Sequence, residues 1–219
     1  MGLLGKTKGD RKPLPFVEDT AVPQKNLVQY IQEFRKLLDS FNIDYAMFGH
    51  VDVGCLHVRP SLDLKKSLEE KWIRELSDKV VDLVKKYGGV MWSEHGRGYR
   101  SEYTVDFFGE ELYEKLRLIK EAFDPNNKLN PGKIVPPFSK DKDKIVSIAG
   151  PLRGHNDKQI NLELYREYES AINCNGNGAC LDYSPKNVMC PSSRITRDRL
   201  HSPQGRANLI REWLRIFSL

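Results

Sequence analysis

Two long amphipathic helical patterns, each flanked by short apolar segments, constrain the fold of this chain more than any other feature. The first follows Pro23 and the second ends at Gly88. Their apolar residues recur at helical spacing: Leu27, Ile31, Phe34, Leu38 and Phe41, then Leu68, Trp72, Leu76, Val80, Leu83, Val84 and Tyr87. Strands are predicted over residues 14–22, 43–48, 53–58 and 90–92. The order β-α-β-β-α-β predicts an α+β fold, a ferredoxin-like sandwich.

The remainder of the chain is predicted to be mostly helical. Helices are expected over residues 110–123 and around residues 162–171, and a closing helix is expected from Pro203 to about Phe217, with Ser202 as its N-cap. Residues 136–158 are charged and have no clear period, which is typical of a linker. We therefore predict a domain at 1–135, a linker at 136–158 and a cysteine-containing tail at 159–219.

The composition narrows the class of protein. Of the 219 residues, 39% are hydrophobic and 30% charged, which is typical of a globular chain and not of a disordered one. We see neither a signal peptide nor a transmembrane segment, and we expect a cytoplasmic location or attachment to the inner membrane face through partners. The formal charge of +5 is concentrated after residue 185. A basic tail could contact nucleic acid or acidic lipid, but a solvated helix face is the simpler interpretation, so no nucleic acid is expected.

Two short motifs contain three of the five histidines. In GHVDVGCLHVRP, residues 49–60, His50 and His57 flank a glycine-bearing turn, and a hairpin there could direct both imidazoles towards one divalent cation. In GGVMWSEHGRG, residues 88–98, Glu94 adds a third metal ligand and His95 could act as a general base. The alternatives are ordinary core or surface histidines and a helix-capping Glu94–His95 pair. The predicted strand order does not by itself bring the two motifs together.

Together with IKEAFDPNNKLNPGKI, residues 119–134, these motifs resemble three signatures in the C-terminal region of FAD-linked 2-hydroxy-acid dehydrogenases. That family includes D-lactate, glycolate and D-2-hydroxyglutarate dehydrogenases. The segments CNGNGAC, MCPS and HSPQGRANLIREWL resemble a subgroup in which the flavoprotein continues into an iron–sulfur region. The resemblance implies oxidation of a D-2-hydroxy acid to a 2-oxo acid, with FAD, a zinc-like divalent metal and an electron acceptor.

The resemblance also implies roles for individual residues. His50, His57 and Glu94 match the metal ligands of the family, and His95 matches the residue that takes the proton of the substrate hydroxyl. The family's flavin-contacting segment corresponds here to the segment that contains Asn130 and Lys133.

Three positions bear on how the substrate is recognised. Arg59 is a candidate for binding a substrate carboxylate, with a surface arginine as the open alternative. Cys55 replaces the asparagine of the family motif, and Val17 stands where relatives use a lysine for a second carboxylate. The sequence therefore does not predict how the distal end of the substrate is held.

Three of the four cysteines are clustered in the tail. Cys174 and Cys180 keep the first-to-third spacing of a ferredoxin motif, but Asn177 stands in the second position and Cys190 follows late. We predict that Cys190 completes a [4Fe–4S] cluster in a full-length parent, with Cys174 and Cys180 as ligands or structural residues. A zinc site that adds His201 is the alternative.

The sequence contains no glycine-rich segment that could bind the FAD pyrophosphate. We therefore expect a fragment of a larger flavoenzyme, inactive without an FAD-binding domain or partner chain. The alternative is a non-catalytic, metal-stabilised module whose basic, cysteine-rich tail binds a protein or nucleic acid.

Overall fold

The computed structural model describes residues 10–152, 155–174 and 176–218, which form two compact units divided after Gly150. The first unit contains short strands and long helices in this order: β1 (Lys12–Pro13), β2 (Thr20–Ala21), α1 (Leu27–Ser40), β3 (Tyr45–His50), β4 (Cys55–Leu62), α2 (Ser67–Lys86) and α3 (Thr104–Phe123). Single 3-10 turns lie at Gln24–Asn26, Val51–Val53, Gly98–Tyr103 and Phe138–Lys140.

Strand β4 is the centre of a small antiparallel sheet. Strand β3 pairs along one side of β4, from Tyr45 opposite Pro60 to His50 opposite Cys55. Strands β1 and β2 pair with the two ends of the other side, and Val90 bridges β2. The resulting order of Val90, β2, β4 and β3 is the one that a β-α-β-β-α-β sandwich requires, and the α+β prediction is confirmed.

All four predicted strands differ in extent from the observed ones. The strands predicted at 43–48 and 53–58 begin and end later, as β3 and β4. The segment 14–22 is not one strand, because Pro15 lacks the N–H that a ladder needs and Asp19 has a left-handed backbone with φ 67°. The predicted strand 90–92 is reduced to the single bridge at Val90. The helix predicted from residue 110 begins earlier, at Thr104, with a break at Gly109.

In this unit, one face of the sheet belongs to the apolar core and the other carries the polar side chains. The largest fully buried side chains include several from α1 and α2: Tyr30, Phe34, Leu38, Ile73, Leu76 and Val80. Burial of each contributes roughly 1.5–3 kcal/mol. Along β4, alternation places apolar Leu56, Val58 and Leu62 on one face and Cys55, His57 and Arg59 on the other.

The predicted linker overlaps the boundary between the two units. Ile148 is fully buried, and its N–H bonds to the Glu102 carboxylate within the first unit. The boundary itself lies at Gly150, inside the predicted range 136–158. The assignment of domains at 1–135 and 159–219 stays a prediction.

The described part of the second unit is helical: α4 (Leu162–Glu167), α5 (Glu169–Ile172), α6 (Pro191–Thr196) and α7 (Pro203–Phe217). Ile160, Ile172 and Leu214 form its core, and Arg211 and Arg215 pair with the buried Asp157. The predicted cap of the closing helix is confirmed, since Ser202 Oγ accepts the Gly205 N–H at 3.0 Å. Among the described residues, no helix is both long and apolar enough to cross a membrane.

Candidate functional site

The β3–β4 hairpin places His50 and His57 on one side of the sheet. His50 lies directly opposite Cys55, and Cys55 and His57 are two residues apart on β4, so the three side chains share a face. The turn is tight at both glycines. A Cβ on Gly49 would overlap the Cys55 carbonyl oxygen, and Gly54 has φ 72° beside the Val22 carbonyl.

Asp19 is the residue that connects this hairpin to the second motif. Thr20 of β2 pairs with Leu56 of β4 in antiparallel register, so the preceding residue, Asp19, lies alongside His57. Its side chain is fully buried and its backbone is left-handed, a conformation that aspartate tolerates better than most residues.

The Asp19 carboxylate holds the loop that contains Glu94 and His95. It accepts the backbone N–H groups of Ser93 at 3.1 Å, Glu94 at 3.0 Å and His95 at 3.0 Å. The Asp19 carbonyl accepts the Ser93 N–H as well, at 2.9 Å. The loop is therefore folded back from Val90, across β2, onto the histidine face of β4.

Arg100 fixes the same loop from the other side. Its guanidinium donates to the carbonyls of Glu18 and Met91 and lies 3.4 Å from the Asp19 carboxylate. Burial lowers the pKa of Arg100, while the Asp19 and Glu18 carboxylates act in the opposite direction. A buried ion pair whose remaining hydrogen bonds are satisfied keeps a defined geometry.

As a result, three imidazoles converge on one carboxylate oxygen. Glu94 Oε1 lies 2.9 Å from His57 Nε2, 3.4 Å from His50 Nε2 and 3.3 Å from His95 Nε2. The His57 and His95 rings stack with centroids 4.6 Å apart. The predicted strand order did not by itself bring the two motifs together. The hydrogen bonds of Asp19 and Arg100 do so, because they hold the Glu94–His95 loop against the histidines of β3 and β4.

The donor set fits a divalent cation. Nitrogen and oxygen ligands about 2.1 Å from a tetrahedral ion lie about 3.4 Å from one another, close to the 2.9 Å and 3.4 Å that separate Glu94 Oε1 from His57 and His50. His57 is buried, whereas the side chains of His50 and Glu94 are about half exposed, at 56% and 43%. An ion held there would be open to a ligand on one side.

Arg59 and His95 share the carboxylate of Glu18. Arg59 Nε donates to Glu18 Oε2 at 2.7 Å, and His95 Nδ1 lies 3.4 Å from Glu18 Oε1. The Arg59 and Glu18 side chains are both about nine-tenths buried. Arg59 is therefore in an ion pair beside the site, and its predicted contact with substrate stays a prediction.

The segment predicted to face the flavin is a turn that follows α3. Asp124 organises it by accepting the N–H groups of Lys128 and Leu129 at 2.9 Å and 2.8 Å. The Lys120 ammonium and these N–H groups lower the pKa of Asp124 to about 2. Asn130 in this turn has φ 52°, and Lys133 Nζ lies 5.1 Å from the centre of the Tyr99 ring.

The four cysteines are all thiols without a disulfide. Cys190 is buried, and its Sγ lies 3.4 Å from both Ser192 Oγ and Arg206 Nη2. Hydrogen bonds from Ser192, Ser193 and Arg206 lower the pKa of Cys190 to about 6.

The clusters of three or more metal-ligating atoms in the described part of the chain are Asp19–Cys55–His57–Glu94 and Glu18–His57–His95. The structure does not join Cys174, Cys180, Cys190 and His201 into such a group. Cluster ligation by the tail cysteines stays a prediction.

Sequence reasoning missed Glu18, Asp19 and Arg100. One signal was available, because two adjacent acids in the apolar segment LPFVEDTAV need buried partners if the segment is buried. The sequence does not show which groups pair with them: three backbone N–H groups and Arg100 for Asp19, and Arg59 and His95 for Glu18.

Comparison with known proteins identifies the family of this chain. The family model described as FAD linked oxidases, C-terminal domain, matches residues 1–134. The chain belongs to this family. Its predicted resemblance is thereby confirmed, and the two histidine motifs and the turn after α3 all lie inside the matched residues.

The chain is also similar to curated relatives along its whole length. It is 52% identical over 218 residues to D-2-hydroxyglutarate dehydrogenase of Haemophilus influenzae and 51% identical over 218 residues to that of Escherichia coli, covering 100% of this chain and 21% of each relative. It is 33% identical over 128 residues to D-lactate dehydrogenase of Archaeoglobus fulgidus, covering 58% of this chain and 28% of the relative. The chain thus spans about a fifth of the length of its more similar relatives.

Proposed function

We propose that this chain supplies the metal-binding and proton-accepting part of a flavin-dependent dehydrogenase that oxidises a D-2-hydroxy acid, of the 2-hydroxyglutarate type, to the 2-oxo acid. The convergence of His50, His57 and His95 on Glu94 Oε1 is the observation that carries the proposal. The names of the similar relatives support the choice of substrate class.

In this proposal His50, His57 and Glu94 hold a zinc-like divalent cation. Bound there, the cation supplies Lewis acidity that lowers the pKa of the substrate hydroxyl. The buried His57 and the Asp19-held Glu94 fix the ligand geometry before substrate arrives, so that little reorganisation is needed.

His95 is the proposed base. Its Nδ1 lies 3.4 Å from Glu18 Oε1, which orients the ring, and its Nε2 lies 3.3 Å from Glu94 Oε1, beside the proposed metal ligands, where it would take the hydroxyl proton. The Glu18 carboxylate stabilises the imidazolium that forms. The Arg59–Glu18 ion pair keeps that carboxylate in place.

FAD would supply the hydride acceptor, and the family description is the basis for it. We propose that its isoalloxazine ring is held by an FAD-binding domain together with the turn that contains Asn130 and Lys133. The same proposal includes onward electron transfer to an acceptor through an iron–sulfur region that contains Cys190, Cys174 and Cys180. It also includes a cytoplasmic location.

Anaerobic flavin reduction tests the proposal. The chain is co-expressed with the FAD-binding domain of a similar relative, and bleaching of the flavin absorbance is followed after D-2-hydroxyglutarate, D-lactate or glycolate is added. We expect bleaching with at least one acid. We expect loss of bleaching in His95→Gln, with metal content retained, and loss of both bleaching and metal in His57→Ala. A reconstituted flavoprotein that no acid bleaches would refute the proposed reaction.

A further inference from the structure

A cysteine thiol lies within the same cluster as the histidines and Glu94. Cys55 is fully buried, and its Sγ is 3.8 Å from His57 Nε2 and 3.9 Å from Asp19 Oδ1. The ligand atoms of Asp19, Cys55, His57 and Glu94 all lie within 4.8 Å of one another. The proposed reaction assigns no role to this thiol.

The strand geometry explains why Sγ faces the cluster. Cys55 and His57 occupy alternate positions of β4, and Cys55 is the cross-strand partner of His50. Sulfur and nitrogen ligands at about 2.3 Å and 2.1 Å from one tetrahedral ion are separated by about 3.6 Å. The 3.8 Å between Sγ and His57 Nε2 needs only a small shift to reach that separation.

Burial raises the pKa of the Cys55 thiol, and the Asp19 and Glu94 carboxylates act in the same direction, so a thiolate here needs a bound cation to balance its charge. The Glu18 carboxylate pairs with the Arg59 guanidinium and the Asp19 carboxylate with that of Arg100, while the Glu94 carboxylate contacts the imidazoles. The three carboxylates and two guanidiniums together carry one negative charge, and a divalent cation changes this sum to one positive charge. Release of the Sγ proton to solvent and formation of a metal–sulfur bond bring it to neutrality, and a coordinating thiol is normally deprotonated.

We propose that Cys55 is a further, thiolate ligand of the cation that His50, His57 and Glu94 hold. This inference rests on the proposed function, because it concerns the same ion. A sulfur ligand makes the site selective for zinc-like ions, including cobalt, over magnesium, calcium and manganese, which prefer oxygen ligands. It also gives a physical meaning to the replacement of the motif asparagine by cysteine at this position.

Cobalt substitution tests the inference through absorption spectra. The purified chain is stripped of metal and titrated with Co²⁺, and a near-ultraviolet thiolate-to-cobalt charge-transfer band is sought alongside the visible ligand-field bands. We expect the charge-transfer band in the unchanged protein and its loss in Cys55→Ser, with the ligand-field bands retained. Cys180→Ser and Cys190→Ser are the matched controls, and both should keep the band.

The outcomes separate this inference from the proposed function. Ligand-field bands without a charge-transfer band in the unchanged protein, or a band that survives Cys55→Ser, overturn the thiolate and leave the metal site intact. Absence of any bound cobalt overturns both. If Cys55→Ser does not fold, X-ray absorption of the zinc-loaded unchanged protein decides: one sulfur at about 2.3 Å supports the inference, and only nitrogen and oxygen neighbours overturn it.

Discussion

Asp19→Asn tests whether one buried carboxylate builds the site. The substitution removes a charge and keeps the shape of the side chain. Asparagine also tolerates the left-handed backbone at this position, where φ is 67°. The change therefore isolates the electrostatic and hydrogen-bonding role of the carboxylate from backbone strain.

The magnitude follows from the bonds that the carboxylate accepts. Oδ2 accepts from Ser93 and His95, and Oδ1 accepts from Glu94. An amide in its place keeps one oxygen, turns an N–H towards one of these donors and leaves Arg100 without its charged partner. Loss of a charge-assisted bond costs about 1.5–3 kcal/mol, and breaking a buried ion pair costs a similar or larger amount. Water can replace part of the lost hydrogen bonding because the loop is partly exposed, so the total loss should be smaller than the sum of these costs. We expect the free energy of unfolding to fall by roughly 3 kcal/mol.

Urea unfolding and amide hydrogen exchange measure the effect. The amides of Ser93, Glu94 and His95 should lose protection in the folded state of Asp19→Asn, and zinc affinity should fall at least about tenfold because the Glu94 ligand is no longer held in place. Asp82→Asn on the exposed face of α2 is the matched control, with an expected change within about 0.5 kcal/mol. If Asp19→Asn and Asp82→Asn behave alike in urea unfolding and hydrogen exchange, the Asp19 carboxylate does not hold the loop in place, and this explanation of the site is wrong.

Three further changes test the fold of the two units, each taken by itself. Gly54→Ala should lower the free energy of unfolding in urea by at least about 2 kcal/mol, because residue 54 has φ 72° and the new Cβ would overlap the Val22 carbonyl oxygen. Gly88→Ala is the control: residue 88 has a similar φ of 66° but open space around it, so the loss should be only about 1 kcal/mol. Ser202→Ala should cost about 1 kcal/mol through loss of the N-cap bond, and an unchanged thermal midpoint would contradict that role. The pKa of Asp124 is lowered to about 2 in the folded chain. Its carboxylate therefore stabilises the fold above the unfolded pKa of about 4, and this contribution is lost as the pH falls through 2. In Asp124→Asn the free energy of unfolding should depend less on pH between about 4 and about 2.

The elements that the sequence predicts well are those with a strong local pattern. The two amphipathic helices appear as α1 and α2 because their apolar faces recur at helical spacing. The hairpin between β3 and β4 forms around the expected turn, although both strands extend beyond their predicted ends. The N-cap at Ser202 is also local, and it was predicted at the right residue.

The parts that the sequence does not predict depend on long-range bonds. Glu94 reaches the histidines because the Asp19 carboxylate accepts N–H groups some seventy-five residues further along the chain. Such donors are backbone atoms and do not appear in any residue pattern. The segment expected as a strand at 90–92 pairs with β2 at Val90, and beyond it the Ser93 N–H bonds to both the carbonyl and the carboxylate of Asp19.

In the proposed site, two imidazoles and one carboxylate hold a single cation on the histidine face of β4. Anomalous diffraction at the zinc absorption edge, from crystals of the zinc-loaded chain, measures this directly. We expect a peak about 2.1 Å from both His57 Nε2 and Glu94 Oε1. A zinc peak found only beside the tail cysteines, with none at His57, would contradict it.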